Sequence, residues 1–407
     1  MSTSFPKSQI RIVLLEGVHD AAREMLERDG FDVEHHAGAL DERTLLERCA
    51  DAHVVGIRSK THLPSSFFGE ASRLLAVGCF CIGTNQVDLG AARVAGVPVF
   101  NSPFSNTRSV AELTIAEIIG LHRKLADRSA SMHEGRWQKS ASGAHEVRGR
   151  VLGIVGYGHI GAQVSVLAEA IGMQVQFFDL VPKLAMGNAR QVASLRELLE
   201  TSDVVTLHVP ATDQTTGMLG ASELGWMKPG TYVINNARGS VVDLEALASS
   251  IRSGHLAGAA LDVFPEEPKK SGDPFDAVVR GLPNVILTPH IGGSTQEAQE
   301  AIARDVASKM LRFVNNGSTT GAVNVPEVDL PEQKGAHRIL HMHRNVPGVL
   351  SKMHRAIADL GVNITGEYLR TDEQVGYVVL EVAPAESEPI LHALRGIEET
   401  IRLRLLW

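Results

Sequence analysis

VLGIVGYGHIGAQVSVLAEAIGMQVQFFD, residues 151–179, decides how the rest of the chain is read. The apolar run Val151 to Val155 suits a strand buried on both faces of a parallel sheet. Gly156, Gly158 and Gly161 follow in the spacing G-x-G-x-x-G. In that spacing the first glycine makes a tight turn, the second lets a pyrophosphate approach the backbone, and the third lets a helix pack closely on the strand. Ile160, Val164, Leu167, Ala168 and Ile171 recur at helical spacing, so a helix opens at the turn, with the amides of His159 and Ile160 at the phosphate end. Asp179 ends the next apolar run 18 residues after Gly161, where an acid accepts from the adenosine ribose hydroxyls and repels a 2′-phosphate. NAD, rather than NADP, is the expected cofactor. The glycine spacing alone is weak evidence; the strand before it, the helix after it and the acid beyond give it force.

Upstream of this stretch, strand-like and helix-like runs alternate from Arg11: RIVLLE, HDAAREMLERDG, FDVEHH, DERTLLERCADA, HVVGIR, LLAVGCF, DLGAARVAG and VPVFN. They predict a flavodoxin-like α/β domain over residues 1–107, rejoined by 295–330. Ser109 and Glu112 form S-x-x-E ahead of a long helical stretch, 109–135, and predict a capped helix leading out of that domain. Downstream, DVVTLHVP, TYVINNARG, AGAALDVF and NVILTPHIGG extend the Rossmann-type doubly wound parallel sheet to give a unit spanning 108–294. Residues 315–336, rich in Asn, Gly, Pro and Ser, read as a linker. Residues 337–407 then give strand, helix, strand, strand, helix, strand, the βαββαβ order of a ferredoxin-like sandwich, with a sheet edge suited to pairing with another copy.

Composition narrows the class of partner. The chain has 407 residues, 44% hydrophobic and 21% charged, enough for two or three globular domains. A formal charge of −8 weighs against nucleic acid and anionic membrane, so clustered basic residues are expected to hold a small anion. The N-terminal stretch lacks a signal-like apolar segment and no run is long enough to span a bilayer, which makes a cytoplasmic location the expectation. Cys49, Cys79 and Cys81 contain no C-x-x-C pair and read as small core residues of a protein from a reducing compartment. The 17 histidines show no metal-ligand spacing, and no metal is expected.

Arg238 in NNARG, Glu267 in DVFPEEP and His290 in TPHIGG close three successive strand-like runs, at the sheet edge where ligands of such folds bind. With GYGHIG, these motifs resemble the D-isomer-specific 2-hydroxyacid dehydrogenases. SNTRSVAE, HIGGSTQEA and a C-terminal unit with HRNVPGVL are similar to the branch of that family that oxidises 3-phospho-D-glycerate and carries one C-terminal ACT domain. The similarity covers essentially the whole chain. It implies that Arg238, Glu267 and His290 act as a set, and each role has a physical basis. An imidazole titrates near neutrality, so His290 can take the proton of the C2 hydroxyl. A neighbouring Glu267 orients the ring and favours its protonated form. Arg238 can hold a carboxylate bidentately. Glu266 competes for the acid role, but the family pattern places the acid immediately before the proline, here Pro268.

For the substrate phosphate, Arg58, Ser59 and Lys60 end the run HVVGIR, and Asn106 precedes the long helical stretch; both are expected on the domain facing the NAD unit. Lys139 joins them on the resemblance alone. The resemblance also implies Asn236, Ala237, Asp262, Gly292 and Gly293 around nicotinamide and ribose. HRNVPGVL resembles the ACT loop that binds an amino acid between two subunits, and His343, Asn345 and Asn363 occupy the positions that contact L-serine in product-inhibited members. An amide and an imidazole suit a zwitterion. The implied assembly is a homotetramer with contacts at nucleotide domains and at ACT domains. Two other readings share these residues: an NAD-sensing binding protein resembling corepressors of the same fold, and the same chemistry on 2-hydroxyglutarate. The ACT-like unit and the lack of a basic tail speak against the first.

Overall fold

Short apolar runs closed by polar or glycine residues become parallel strands in the first hundred residues. β1 (Arg11–Leu14), β2 (Asp32–His35), β3 (Val54–Ile57), β4 (Ala76–Cys79) and β5 (Val99–Phe100) form a sheet in the order β2-β1-β3-β4-β5. Every pair is parallel, in the flavodoxin-like order. α1 (Asp20–Arg28), α2 (Glu42–Cys49), α3 (Ser65–Glu70) and α4 (Leu89–Val94) connect these strands. Asp41 and Asp88 cap α2 and α4, accepting from the amides of Thr44 and Ala91. This computed structural model describes residues 6–268, 272–332, 335–383 and 387–406. The chain divides into two units, one of Met1–Ser105 with Gln299–Trp407, the other of Asn106–Ala298.

The second unit contains α5 (Thr107–Arg123), α6 (Leu125–His133), β6 (Val151–Val155), α7 (His159–Ala170), β7 (Gln174–Phe178), β8 (Arg190–Gln191), α8 (Leu195–Thr201), β9 (Val204–Leu207), α9 (Ala221–Trp226), β10 (Tyr232–Asn235), α10 (Leu244–Arg252), β11 (Gly258–Leu261) and β12 (Val285–Leu287). Its described strands form a wholly parallel sheet in the order β12-β11-β10-β9-β6-β7-β8. The order reverses between β6 and β9, which opens the crevice of a Rossmann fold at the carboxyl ends of those strands.

One expectation fails at the start of this unit. Ser109 and Glu112 do not form a capping box: α5 begins at Thr107, with Asn106 at its N-cap and no side-chain cap bond. Ser109 instead donates to the Gly292 carbonyl, and Glu112 pairs with Arg108. Nor is the stretch one helix. Lys124 takes a left-handed φ of 50° and turns its amide back to the Leu121 carbonyl, so α5 closes before α6 begins.

The last unit of secondary structure is a four-stranded antiparallel sheet, β14 (Ile364–Thr371), β15 (Val375–Val382), β13 (His337–Arg344) and β16 (Thr400–Leu406) in that order, with α12 (Val349–Asp359) and α13 (Ser387–Arg395). Ile339, Val378, Leu380 and Leu405 form one core with Val349, Met353 and Ile390 of the two helices. Leu340, Met342, Tyr377 and Val379 belong to a different core, with Leu14, Phe100 and residues Val306, Met310 and Phe313 of α11 (Gln296–Asn316). The C-terminal sheet therefore shares apolar packing with the first sheet, rather than standing apart beyond a tether. Arg404, Arg338 and Tyr377 donate to the carbonyls of Val314, Asn316 and Gly317, which supplies partners for the C-terminal end of α11.

Residues 317–330, expected as part of the linker, are likewise held. Buried Asn324 accepts from the Val99 amide at 2.8 Å and donates to the Val97 carbonyl at 2.9 Å, and Val325, Val328 and Leu330 enter the shared core. Asn, Gly, Pro and Ser mark irregular backbone; they do not say whether that backbone is anchored. Residues 333–334 of the expected linker lie outside the described residues. No described helix is long and apolar enough to cross a membrane. Truncating Asn324 to Ala strands a buried amide and a buried carbonyl, and the expected loss is about 3 kcal/mol of unfolding free energy. A denaturant titration that shows less than about 0.5 kcal/mol would mean the segment is not anchored this way.

Candidate active site

The glycine turn after β6 has the shape its spacing implies. Gly156 has a φ of 92°, and a Cβ there would lie 2.6 Å from the His208 carbonyl oxygen. A Cβ on Gly161 would lie 2.2 Å from the Gly156 carbonyl oxygen, so the third glycine lets α7 start directly against the turn. A Cβ on Gly158 meets nothing within 4 Å. That side is open for a pyrophosphate, with the N-terminus of α7, at His159 and Ile160, behind it. Asp179, the residue after β7, accepts from the Tyr157 amide at 2.9 Å, so its carboxylate lies across the turn where an adenosine ribose would sit. These residues fit NAD.

Three further strands deliver side chains at the same edge. Arg238 follows β10, and a Cβ on the next residue, Gly239, would lie 1.9 Å from the Phe264 carbonyl carbon. Glycine therefore lets the loop after β10 press on the loop after β11. That second loop carries Glu267, whose Oε1 accepts from the Phe264 amide at 3.2 Å. His290 follows β12 with a left-handed φ of 55°, and its Nδ1 lies 2.9 Å from Glu267 Oε2 and 3.1 Å from Oε1. With Nδ1–H donated to the carboxylate, Nε2 is the basic ring atom. The two side chains are 52% and 35% exposed, so the pair is reachable by a substrate. The hydrogen bond to Glu267 raises the His290 pKa, against partial burial, which lowers it. Burial pushes Glu267 upward, but the bond to His290 and its charge bring the carboxyl net below its ordinary value.

Asp262, the residue after β11, frames the His290 loop. Its buried carboxylate accepts from the Thr288 hydroxyl at 2.6 Å and from the amides of Ile291 and Gly292 at 2.8 and 2.7 Å. Gly292 and Gly293 allow this closeness, since a Cβ on them would lie 3.0 Å from Asp262 Oδ2 and 2.7 Å from Asn106 Nδ2. Asn106 therefore lies beside the His290 loop at the head of α5, in the unit of Asn106–Ala298 rather than in the domain expected to run to residue 107. Asn236 donates to Glu117 Oε2 at 2.7 Å and Thr114 Oγ1 at 3.0 Å, and Ala237 beside it is buried. Sequence reasoning passed over Glu117 and Thr114, and took Ser109 only as a helix cap. The signal available for Glu117 is a lone acid on an apolar helix face with Ile118 and Leu121. Burial raises its pKa to about 7, opposed by the Asn236 bond and helped by Asp262.

Arg58, Ser59 and Lys60 follow β3 in the first unit, with Ser59 and Lys60 exposed. Lys139 does not join His290 within one chain. It lies exposed after α6, where Arg128 donates to the Ser140 carbonyl and Asp127 accepts from the Asn284 amide, at the amino end of β12. His343 is buried against Gly376, and Asn345 donates to the Asp372 carbonyl at 2.7 Å. Asn363 is at the opposite end of that sheet: His343 is opposite Gly376 and Ile364 opposite Val382, most of a strand apart, or about 20 Å. The three do not converge in a single chain. Among the described residues, no group of three or more His, Cys, Asp or Glu side chains could hold a metal.

A dinucleotide turn whose neighbouring strands end in arginine, glutamate and histidine points to hydride transfer on a hydroxy acid. Residues 115–292 match D-isomer specific 2-hydroxyacid dehydrogenase, NAD binding domain, and residues 339–402 match the AHAS small subunit-like ACT domain. The solved D-lactate dehydrogenase of Aquifex aeolicus, complexed with NAD and lactic acid, is 26% identical over 78% of this chain and all of its own, with a TM-score of 0.67. The chain is also 52% identical to D-3-phosphoglycerate dehydrogenase of Escherichia coli (strain K12), over 99% of both, and 48% identical to that of Dictyostelium discoideum, over 100% of this chain and 99% of the relative. It belongs, within the D-2-hydroxyacid dehydrogenases, to the D-3-phosphoglycerate dehydrogenase family. It is an NAD-dependent enzyme, not a binding protein that only senses NAD.

Because Glu267 holds the His290 pKa up, Glu267→Gln should shift the imidazole titration to lower pH, followed by NMR of the ring carbons. An unmoved midpoint would show that the 2.9 Å contact does not couple the two groups.

Proposed function

We propose that the enzyme oxidises 3-phospho-D-glycerate to 3-phosphohydroxypyruvate, the step that opens the phosphorylated route to L-serine, in the cytoplasm, and that L-serine inhibits it through the C-terminal sheet. The observation that carries the reaction is the His290–Glu267 pair at the strand ends beside the Arg238 loop. NAD, when bound, accepts a hydride from C2 of the hydroxy acid. His290 Nε2 takes the proton of the C2 hydroxyl, so the C2–O bond becomes a carbonyl. Glu267 accepts the Nδ1–H and stabilises the imidazolium that forms. Arg238 holds the substrate carboxylate and polarises the oxygen at C2. Arg58, Ser59 and Lys60 hold the phosphate. Oxidation requires neutral imidazole, and the His290 pKa is raised; oxidation therefore sets in at higher pH than an unpaired histidine would allow, and reduction is favoured below it.

For regulation, His343 and Asn345 of one chain with Asn363 of a second copy form the serine site. The edge position of β14, with its alternately exposed face, supports pairing of two C-terminal sheets edge to edge, and a second contact between NAD-binding units completes a homotetramer. 2-Hydroxyglutarate, a similar dianion, is a second substrate of the same residues.

NADH absorbance, followed in both directions with 3-phosphoglycerate, 2-hydroxyglutarate and glycerate, with and without L-serine, tests the reading. Activity with glycerate but not 3-phosphoglycerate would reject the phosphate assignment. His290→Ala is expected to lower kcat by about 10²-fold or more, the usual scale for a positioned acid–base group; near-normal turnover removes it from that role. Asn345→Ala should raise the serine concentration for half-inhibition about tenfold, and an unchanged value would place the effector elsewhere.

A further inference from the structure

Glu16 lies between β1 and α1 with a left-handed φ of 62° and is 9% exposed. Its carboxylate collects main-chain donors from one loop: Oε1 accepts from the amides of Thr61 at 2.7 Å and Arg58 at 3.2 Å, and Oε2 from Lys60 at 3.0 Å. On its far side the loop is held by Gln86, whose Nε2 donates to the Arg58 carbonyl at 2.6 Å, and by the Thr61 hydroxyl, which accepts from the Leu40 amide. Amides that converge in this way form a concavity suited to an anion, and here the anion is a side chain of the same chain. The chemistry asks for a carboxylate. Three donors need two acceptor oxygens, whereas a glutamine would turn an NH2 group toward one of the amides. Glu16 is itself placed by its amide, which donates to the Gly38 carbonyl. Both cations of the loop remain outside this arrangement, because the carboxylate is taken up by the main chain rather than by a guanidinium or ammonium.

We infer that Glu16 is a positioning residue for substrate: it fixes the curve of residues 58–61 from which Arg58, Ser59 and Lys60 meet the phosphate. This rests on the reading of that loop as the phosphate holder. The test compares wild type with Glu16→Gln, Glu16→Gly and Arg58→Ala, measuring KM for 3-phosphoglycerate, KM for NAD and thermal midpoint. Glu16→Gly keeps the backbone conformation without strain but loses every acceptor; Glu16→Gln keeps shape and loses one. The expected result is a graded rise in the 3-phosphoglycerate KM, several-fold for Gln and about tenfold or more for Gly, with the NAD KM unmoved. If Arg58→Ala raises that KM and Glu16→Gln and Glu16→Gly do not, while both remain folded, Glu16 is only structural and the inference is overturned. If Arg58→Ala itself leaves the KM unchanged, the loop does not hold phosphate and the inference falls with that reading. Should Glu16→Gly fail to fold, Glu16→Gln decides alone: a lowered thermal midpoint with an unchanged 3-phosphoglycerate KM overturns the inference.

Discussion

All strands of the larger sheet run in the same direction, so the loops that follow them emerge along one edge. That constraint does most of the work of assembling the site. The dinucleotide turn follows β6, Asp179 follows β7, and Arg238, Asp262 with Glu267, and His290 follow β10, β11 and β12. No long excursion of chain is needed to bring them together. What remains is fine placement, and it is achieved by close approach of backbones. Gly161 against Gly156, and Gly239 against Phe264, remove the side chains that would hold neighbouring loops apart.

Buried acids then fix those loops. Asp262 gathers two amides and a hydroxyl from the segment carrying His290; Glu16 gathers three amides from residues 58–61. Taking a carboxylate out of water costs several kcal/mol. Hydrogen bonds to a charged group return about 1.5–3 kcal/mol each, so three donors are roughly what such a placement requires. Glu117 is different in kind. One of its oxygens accepts from Asn236 and the other has no partner among the described residues, which agrees with its raised pKa.

Much of this was legible in the sequence because it depends on local pattern. The strand, turn and helix of 151–170, the acid at Asp179 and the βαββαβ order of 337–406 follow from periodicity and glycine spacing. Choosing Glu267 over Glu266 drew on the family pattern, and Glu267 is the acid that pairs with His290 in the structure. Features set by tertiary contact were not legible. Ser109 and Glu112 have the spacing of a cap, but Ser109 bonds instead to Gly292, far along the chain. Asn106 reads with the first domain because it lies upstream of the helix, yet its packing on Gly293 ties it to the unit that carries His290. Residues 317–330 have a linker's composition and are held by Asn324 through bonds to β5 and its approach.

The donors at the end of α11 bear on how the chain's parts could be exchanged. Arg404, Arg338 and Tyr377 serve carbonyls that belong to the segment before the ACT-like sheet, and Leu340, Met342 and Val379 fill a core begun by Ile12 and Leu14. The C-terminal sheet is thus a structural lid on its neighbour as well as a candidate ligand module. A shorter chain ending near residue 336 would need new polar caps for that helix and a new covering for that apolar face. Gain or loss of the module in this family therefore involves redesign at the join, not simple addition or removal of a bead on a string.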